Sequence, residues 1–213
     1  MSDRATVPRG RHAPPLEVRL SVQRRRLLEA AAAEFARSGY AEASAEAISR
    51  AAGMSKATFY EHFANKEECI LGLFDLAATE VLQAMAAGTE GGGTDPLQRL
   101  RGGLRSFLEI LAEHPYESQT LLVEIIGAGP RAAQRRDEVF ARFAEAIDSE
   151  NAAAAREGTV ARLASPDDAY AIVGAVAELA SRQIRLGVPA DVRELEPVIE
   201  RLVVGLVAPP ARA

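Results

Sequence analysis

The stretch from Ser44 to Lys66 constrains the fold of this chain more than any other, because it predicts two short helices joined by a tight turn. Ser44 is a favourable N-cap for the first helix, since its hydroxyl can accept a hydrogen bond from a free N–H of the first turn. Gly53 ends that helix, because glycine adopts the left-handed C′ conformation without a steric cost. Ser55 offers a second N-cap two residues later. This order of helix, glycine-containing turn and helix is the helix-turn-helix pattern.

The second helix has an apolar face and a polar face. Phe59 and Phe63 lie one turn apart and are expected to face inward. The other face carries cations or potential cations and hydroxyl groups, which are the groups that contact phosphates and base edges in the major groove of DNA. Asn65 is expected to cap the next helix, which places Lys66 at a helix N-terminus that can bind a phosphate. The predicted DNA contacts are Ser44, Ser55, Lys56, Ala57, Thr58, Tyr60, His62 and Lys66.

These residues resemble the DNA-binding domain of the tetracycline-repressor (TetR/AcrR) family of bacterial regulators. The resemblance runs without a break from about Arg24 to Asp75. Ser49 departs from the alanine that the family usually has, and Ala57 from its frequent glycine or proline. The residues that carry the resemblance are Gly39, Tyr40, Ser44, Ile48, Ala52, Gly53, Ser55, Thr58, Phe59, Tyr60, His62, Phe63, Asn65, Lys66 and Glu67.

The expected fold class is all-α, with an N-terminal three-helix helix-turn-helix DNA-binding domain and a larger C-terminal helical domain for effector binding and dimerisation. The predicted division is a disordered basic arm over 1–20, the DNA-binding domain over 21–66, the helical ligand-binding and dimerisation domain over 67–207, and a tail over 208–213. The arm has several prolines and arginines and too few apolar residues to order itself.

Apolar periodicity predicts helices throughout both domains. The segment from Gly88 to Pro96 is interpreted as a linker, because four glycines in nine residues disfavour a helix. The predicted helical segments are Ser21–Ser38, Lys66–Ala87, Leu97–Glu113, Tyr116–Ile126, Arg131–Glu157, Ala169–Leu186 and Val192–Val207.

The chain has a net charge of −5, but the charge is unevenly distributed. Up to Lys66 there are eleven Lys or Arg and seven Asp or Glu, and the rest of the chain has fourteen and twenty-three. Lys56 and Lys66 are the two lysines of the whole sequence, and both lie in the predicted DNA-binding domain. A basic module on an acidic body is typical of a specific DNA-binding protein.

Composition and spacing argue against several other classes of protein. His12, His62 and His114 are far apart, and no pattern with metal-ligand spacing or a phosphate-binding glycine loop is present, so neither an enzyme nor a cofactor or metal site is expected. No uninterrupted apolar run approaches about 18 residues, so no membrane span is expected. The single cysteine, Cys69, excludes an internal disulfide and suits the reducing cytoplasm.

The last two predicted helices are candidates for a subunit interface. The helix Ala169–Leu186 is apolar on most of its circumference, which indicates burial on more than one side. The resemblance implies that this final pair packs with its symmetry mate as a four-helix bundle. The predicted homodimer interface contains Ile172, Val176, Leu179, Val198, Leu202 and Leu206.

The resemblance also implies a cavity in the helical body for a small-molecule effector, expected to be largely apolar. Aromatic side chains and one buried carboxylate are candidates for its lining, although aromatic residues at helical spacing also suit a plain core. These candidates are Phe107, Tyr116, Glu124, Phe140, Phe143 and Tyr170.

The sequence therefore predicts a cytoplasmic, homodimeric transcriptional regulator that binds a palindromic double-stranded operator. The family resemblance implies a repressor released by its effector. The alternative is a helical dimeric binding or scaffold protein that has the same fold and needs no effector.

Overall fold

A computed structural model describes residues 15–158 and 160–207. Over this part of the chain the structure consists of nine α-helices and two short 3-10 segments, with no strand, which confirms the predicted all-α class. The 3-10 segments are Glu124–Gly127 and Val192–Leu195. The helices are α1 (Leu16–Glu42), α2 (Ala45–Ala51), α3 (Lys56–His62), α4 (Lys66–Gly91), α5 (Pro96–Glu113), α6 (Pro115–Leu122), α7 (Pro130–Arg156), α8 (Pro166–Leu186) and α9 (Glu196–Val207).

The helix-turn-helix forms as its capping residues predict. The Ser44 hydroxyl accepts a hydrogen bond from the Ala47 N–H at the start of α2, and the Ser55 hydroxyl accepts one from the Thr58 N–H at the start of α3. Gly53 has a φ of 67°, the left-handed conformation that ends α2. Fully buried side chains from all three helices form a small core beneath them, namely Leu27, Phe35, Ile48 and Phe59.

Helix α1 begins before and ends after the predicted bounds of Ser21 and Ser38. It starts at Leu16, so the predicted boundary of a disordered arm at residue 20 is wrong; residues 1–14 lie outside the described part. Leu16, Val18, Leu20 and Val22 in its first turns are exposed, which explains why no apolar stripe revealed this start. Near its other end the helix is broken at Gly39, where φ is 77° and ψ is 157°.

The predicted linker over Gly88–Pro96 is wrong in its first half, because α4 continues to Gly91. A Cβ atom at Gly88 would overlap the backbone of Gly102 in α5, and a Cβ at Gly102 would overlap the carbonyl oxygen of Gly88. The glycines therefore allow two helix backbones to cross at close range. Gly88 and Gly102 therefore lie inside helices, at positions where any side chain would prevent the crossing. The turn between α4 and α5 is confined to residues 92–95.

Helix α4 lies at the centre of the fold and packs against α1, α5, α6 and α7. By length and composition alone it is apolar enough to cross a membrane, although Asp75 and Glu80 interrupt its apolar run. The core helix of a folded domain has the same length and composition, and Leu73, Phe74 and Ala78 of α4 are buried among the other helices.

Helices α5 to α9 form the rest of the body around α4. The predicted segments Leu97–Glu113, Arg131–Glu157 and Ala169–Leu186 correspond to α5, α7 and α8 within one to three residues. The other two predicted helices each contain a 3-10 segment, which follows α6 in one case and precedes α9 in the other. Helix α6 packs against both α1 and α4, so the body contacts the helix-turn-helix domain directly.

Candidate nucleic-acid interface

The recognition face is the solvent-exposed side of α3. Phe59 is fully buried and Phe63 is 3% exposed, so both anchor the helix from beneath. Tyr60 is 51% exposed, and the Lys56 ammonium lies 6.0 Å from the centroid of its ring. Ser55 and Ala57 are also exposed at the start of the helix. The arrangement leaves a cation, a phenol and a small side chain free to meet the major groove.

The two capping serines also retain a donor for a nucleic acid. Ser44 is exposed, and its Oγ accepts the Ala47 N–H at 3.1 Å. Ser55 Oγ accepts the Thr58 N–H at 3.0 Å and lies 2.9 Å from Thr58 Oγ1. Because a hydroxyl both accepts and donates, the Ser44 O–H can still donate to a phosphate while it caps α2. Ser55 and the half-buried Thr58 can share one free donor between them.

Lys66 has a structural role that the sequence did not reveal. Its Nζ donates hydrogen bonds to the Tyr40 carbonyl at 2.6 Å and to the Ala41 carbonyl at 3.0 Å. The same ammonium lies 4.3 Å from the centroid of the Tyr40 ring. Lys66 therefore ties the start of α4 to the end of α1, and a phosphate would share it with these carbonyls. Asn65 caps α4 as predicted, accepting the Glu68 N–H at 2.9 Å.

Two arginines of α1 hold the helix-turn-helix together. Arg24 donates to the His62 carbonyl at 3.2 Å, with its guanidinium 4.5 Å from the Phe63 ring centroid. Arg26 donates to the Ala52 carbonyl at 2.9 Å. Each arginine therefore binds a carbonyl at the C-terminus of one short helix, where cations are stabilised by the helix dipole. The spacing of these arginines in the sequence gave no signal of the two carbonyl partners.

His62 is half-buried at the end of α3. Its Nε2 lies 3.4 Å from Gln23 Oε1 of α1. Burial and the nearby positive charge of Arg24 hold the pKa of His62 below its usual value of 6.5. The imidazole is therefore neutral at pH 7, and a phosphate contact by a cationic His62 would require uptake of a proton.

The predicted effector-binding residues lie in different surroundings. Phe107 and Phe140 are buried in the core, whereas Tyr116 and Tyr170 are 54% and 40% exposed. Phe143 is half-buried, and the Phe140 and Tyr170 ring centroids are 6.2 Å apart. Some of these side chains are therefore buried in the helical core, and the others lie at the surface.

Glu124 was expected to anchor an effector, and both of its oxygens are already hydrogen-bonded within the protein. Oε2 accepts the backbone N–H of Tyr40 at 2.7 Å, and Oε1 accepts a side-chain N–H of Gln119 at 3.0 Å. In this arrangement of the chain Glu124 binds a backbone amide of the DNA-binding domain, and its role as an effector anchor stays a prediction.

Two cavities lie beside α4, and none of the six predicted residues lines either of them. One is a cleft of about 370 Å³ between α1, α4 and α7. The other, of about 10 Å³, lies between α4, α5 and α6 and is too small for an effector. The cleft is charged rather than apolar, because Arg131 pairs with Glu67 and Glu68 across it, and Arg135 with Asp75.

The residues predicted for the subunit interface fall into two groups. Ile172 is 3% exposed, so it belongs to the core of its own chain and offers little surface to a partner. Val176 and Leu179 are half-buried on α8. Three leucine or valine side chains on one face of α9 are exposed by 36–42%, which leaves an apolar stripe open to solvent in the single chain. They are Val198, Leu202 and Leu206.

No group of three or more His, Cys, Asp or Glu residues converges on a metal-sized site within the described residues. Cys69 is buried in α4, and this burial raises the pKa of its thiol to about 12. A thiol in that state is a core side chain without nucleophilic character at neutral pH.

Comparison with known proteins points to one family. The family described as "Bacterial regulatory proteins, tetR family" matches residues 27–73, which cover the end of α1, all of α2 and α3, and the start of α4. The regulator EthR of Mycolicibacterium smegmatis, an HTH-type transcriptional regulator, is 30% identical over 76 residues. That match spans 36% of this chain and 35% of the relative's own length.

Solved structures share the fold over most of the chain. The fatty acid degradation regulator FadR from Bacillus halodurans superimposes with a TM-score of 0.79 at 19% identity, covering 86% of this chain and 95% of its own. FadR from Bacillus subtilis in complex with stearoyl-CoA superimposes with a TM-score of 0.76 at 17% identity, covering 85% of this chain and 98% of its own. The helix-turn-helix over residues 27–73 therefore matches the tetR family of bacterial regulatory proteins, and the described chain shares the all-helical fold of these solved structures.

Proposed function

We propose that this protein is a sequence-specific transcriptional regulator that binds a palindromic DNA operator as a homodimer. The observation that carries the proposal is the exposed face of α3, held above a buried aromatic core by Phe59 and Phe63. In this proposal Lys56 pairs with guanine in the major groove, and the phenol of Tyr60 binds a phosphate.

The proposed dimer is formed by α8 and α9. Val198, Leu202 and Leu206 repeat every four residues, so they form one apolar stripe along α9. Leu186 and Val188, at the turn between α8 and α9, are 59% and 60% exposed and add to the apolar surface of this pair of helices. A second copy of the chain buries such a stripe by two-fold symmetry, and the same symmetry matches two operator half-sites about 34–36 Å apart or a multiple of that distance.

The proposed mode of action is repression in the cytoplasm, released by a small-molecule effector that is largely apolar. The cavity between α4, α5 and α6 holds only about 10 Å³, and in this proposal an effector binds by opening the body there. An effector that binds only the opened arrangement shifts the protein toward it and away from the form that fits the operator.

The first experiment is selection of duplex DNA from a random pool by the wild-type protein at low salt. A palindromic consensus is the expected result. The variant Lys56→Ala/Tyr60→Phe is expected to enrich no consensus, whereas Arg142→Ala, which removes a charge from the exposed surface of α7, is expected to enrich the wild-type sequence. Lys66 is a poor choice for this test, because its substitution also frees the end of α1.

The contrary outcome is equally clear. If the wild-type protein enriches no sequence at low salt, the chain is not a specific DNA-binding regulator, and the helical scaffold remains as its function. Thermal unfolding with a series of acyl-CoA esters, chosen because the B. subtilis FadR structure holds stearoyl-CoA, tests the effector: a rise in the unfolding temperature is expected to accompany release of the DNA.

A further inference from the structure

The end of α1 contains a break in its helical backbone. Gly39 has a φ of 77° and a ψ of 157°, a conformation that is close to exclusive to glycine. The chain changes direction there before it enters α2. The Tyr40 N–H is the first backbone donor on the far side of the break.

A carboxylate of the body accepts a hydrogen bond from this amide. Glu124 Oε2 lies 2.7 Å from the Tyr40 nitrogen, 84 positions earlier in the chain. Its other oxygen, Oε1, is held by the Gln119 side chain of α6 at 3.0 Å. A carboxylate accepts at both oxygens, so this one side chain connects α6 to the point where α1 breaks.

The peptide on the other side of Tyr40 is held from α4. Lys66 Nζ donates to the Tyr40 carbonyl at 2.6 Å. The backbone of one residue is therefore fixed by an anion from the body at its N–H and by a cation from α4 at its C=O. Both hydrogen bonds involve a charged group, and such bonds are stronger than those between neutral groups.

We propose that Glu124 is a positioning residue for DNA binding, acting through Tyr40. By holding the amide after the break, it sets the direction in which the chain leaves α1 and therefore the placement of α2 and α3 against the body. Displacement of the segment that carries Glu124 moves the recognition helix. This inference rests on the proposed function, because it names the contact through which the body controls operator binding.

The test uses the fact that a glutamine side chain can make both contacts of the carboxylate, whereas a leucine side chain can make neither. In Glu124→Gln the amide oxygen accepts from Tyr40, and the amide nitrogen donates to the Gln119 oxygen once the Gln119 amide has turned over. In Glu124→Leu the Tyr40 N–H and the Gln119 side chain both lose this partner. Glu117→Gln makes the same change of charge on α6 and serves as the matched control.

We expect Glu124→Leu to weaken operator binding about tenfold, within the usual range for coupling between two sites. Glu124→Gln is expected to retain affinity to within about threefold of the wild type, and Glu117→Gln to leave it unchanged. Affinity is measured well below the unfolding temperature of every variant, so that a purely structural role leaves it unaltered. Hydrogen exchange of the Tyr40 amide, followed by NMR, is expected to accelerate in Glu124→Leu and to stay close to the wild-type rate in Glu124→Gln.

Two results overturn the inference. In the first, Glu124→Leu binds the operator as tightly as the wild type although its Tyr40 amide exchanges faster. In the second, Glu124→Gln keeps the amide protection of the wild type but loses affinity as Glu124→Leu does. Either result leaves the proposed function intact, because the wild-type protein still binds its operator. If the wild type selects no duplex sequence at all, the proposed function fails and this inference fails with it.

Discussion

Single polar side chains decide how the DNA-binding domain is held together, and neighbours in sequence take different roles. Arg24 and Arg26 bind the terminal carbonyls of α3 and α2 from a third helix. Arg25, between them, points to solvent and pairs with Glu29 one turn later. Arginines with the same local sequence therefore differ in their contribution to stability.

Replacement of Arg26 by methionine is expected to lower the free energy of unfolding by about 1–2 kcal/mol, because the Ala52 carbonyl loses a charged donor. Arg25→Met is expected to cost no more than about 0.5 kcal/mol, since an exposed ion pair adds little. Urea denaturation of the two variants provides the comparison. An equal loss in the free energy of unfolding for the two variants would show that the Arg26 contact does not stabilise the domain.

His62 makes the stability of the domain depend on pH. Its pKa in the folded protein lies below 6.5, so the unfolded chain binds a proton more readily and is favoured as pH falls through 6.5 toward the folded pKa. The stability that depends on neutral His62 is present above that window and is lost within it. We expect His62→Gln to reduce the fall in unfolding temperature between about pH 7.5 and 5.5. His114→Gln, at an exposed helix end, is the control, and an unchanged pH profile in His62→Gln would contradict the assignment.

At the scale of the helices, the contact between α4 and α5 depends on the absence of side chains. Gly88 and Gly102 face each other at the crossing, and neither can carry a Cβ without overlap of the other backbone. Ion pairs complete the packing of α4 on another side, where Arg135 binds Asp75 from α7. Helix α4 is thus fixed in its second half by backbone contact and in its first half by exposed charges.

Gly88→Ala is expected to destabilise the protein by about 1–3 kcal/mol, because the crossing has to open to admit the methyl group. Gly91→Ala lies three residues later in the same helix, where a Cβ meets no atom within 4 Å. That control is expected to be neutral or to stabilise the helix by up to about 1 kcal/mol. Thermal and urea unfolding measure both variants, and an unchanged stability of Gly88→Ala would show that the helices do not cross this closely in solution.

At the scale of the whole molecule, the described chain has a buried core but leaves one apolar face exposed to solvent. Arg101 and Arg105 of α5 pair with Glu200 and Glu196, which fix one side of α9 to the body. The stripe that contains Leu202 remains uncovered on another side. An apolar stripe on a helix anchored in this way is suited to a second copy of the chain.

Leu202→Glu is expected to convert the protein from a dimer to a monomer, because the charge would be buried at the two-fold interface. Light scattering after size-exclusion chromatography measures the mass, and circular dichroism checks that helix content is retained. Affinity for a palindromic operator is expected to fall by about 100-fold or more, since each half-site is then bound alone. Leu76→Glu on α4, at 38% exposure against 36% for Leu202, is expected to remain dimeric. A dimeric Leu202→Glu protein would place the interface elsewhere.

The local sequence determined the elements and the recognition face, because caps and apolar periodicity act over a few residues. Ser44, Ser55 and Asn65 cap the helices they were expected to cap, and Phe59 and Phe63 turn the polar side of α3 outward. The bounds of α5, α7 and α8 follow from the same signals. For these features, neighbours along the chain are also neighbours in space.

The tertiary structure alone decided the partners of the charged side chains and the role of the glycines. Lys66 binds carbonyls 25 and 26 positions away, and Glu124 binds an amide 84 positions away. Gly88 remains helical because Gly102 packs against it, whereas its local sequence indicates a linker. A sequence pattern records which groups need a partner or a close approach. Only the packing of distant helices determines which group meets that need.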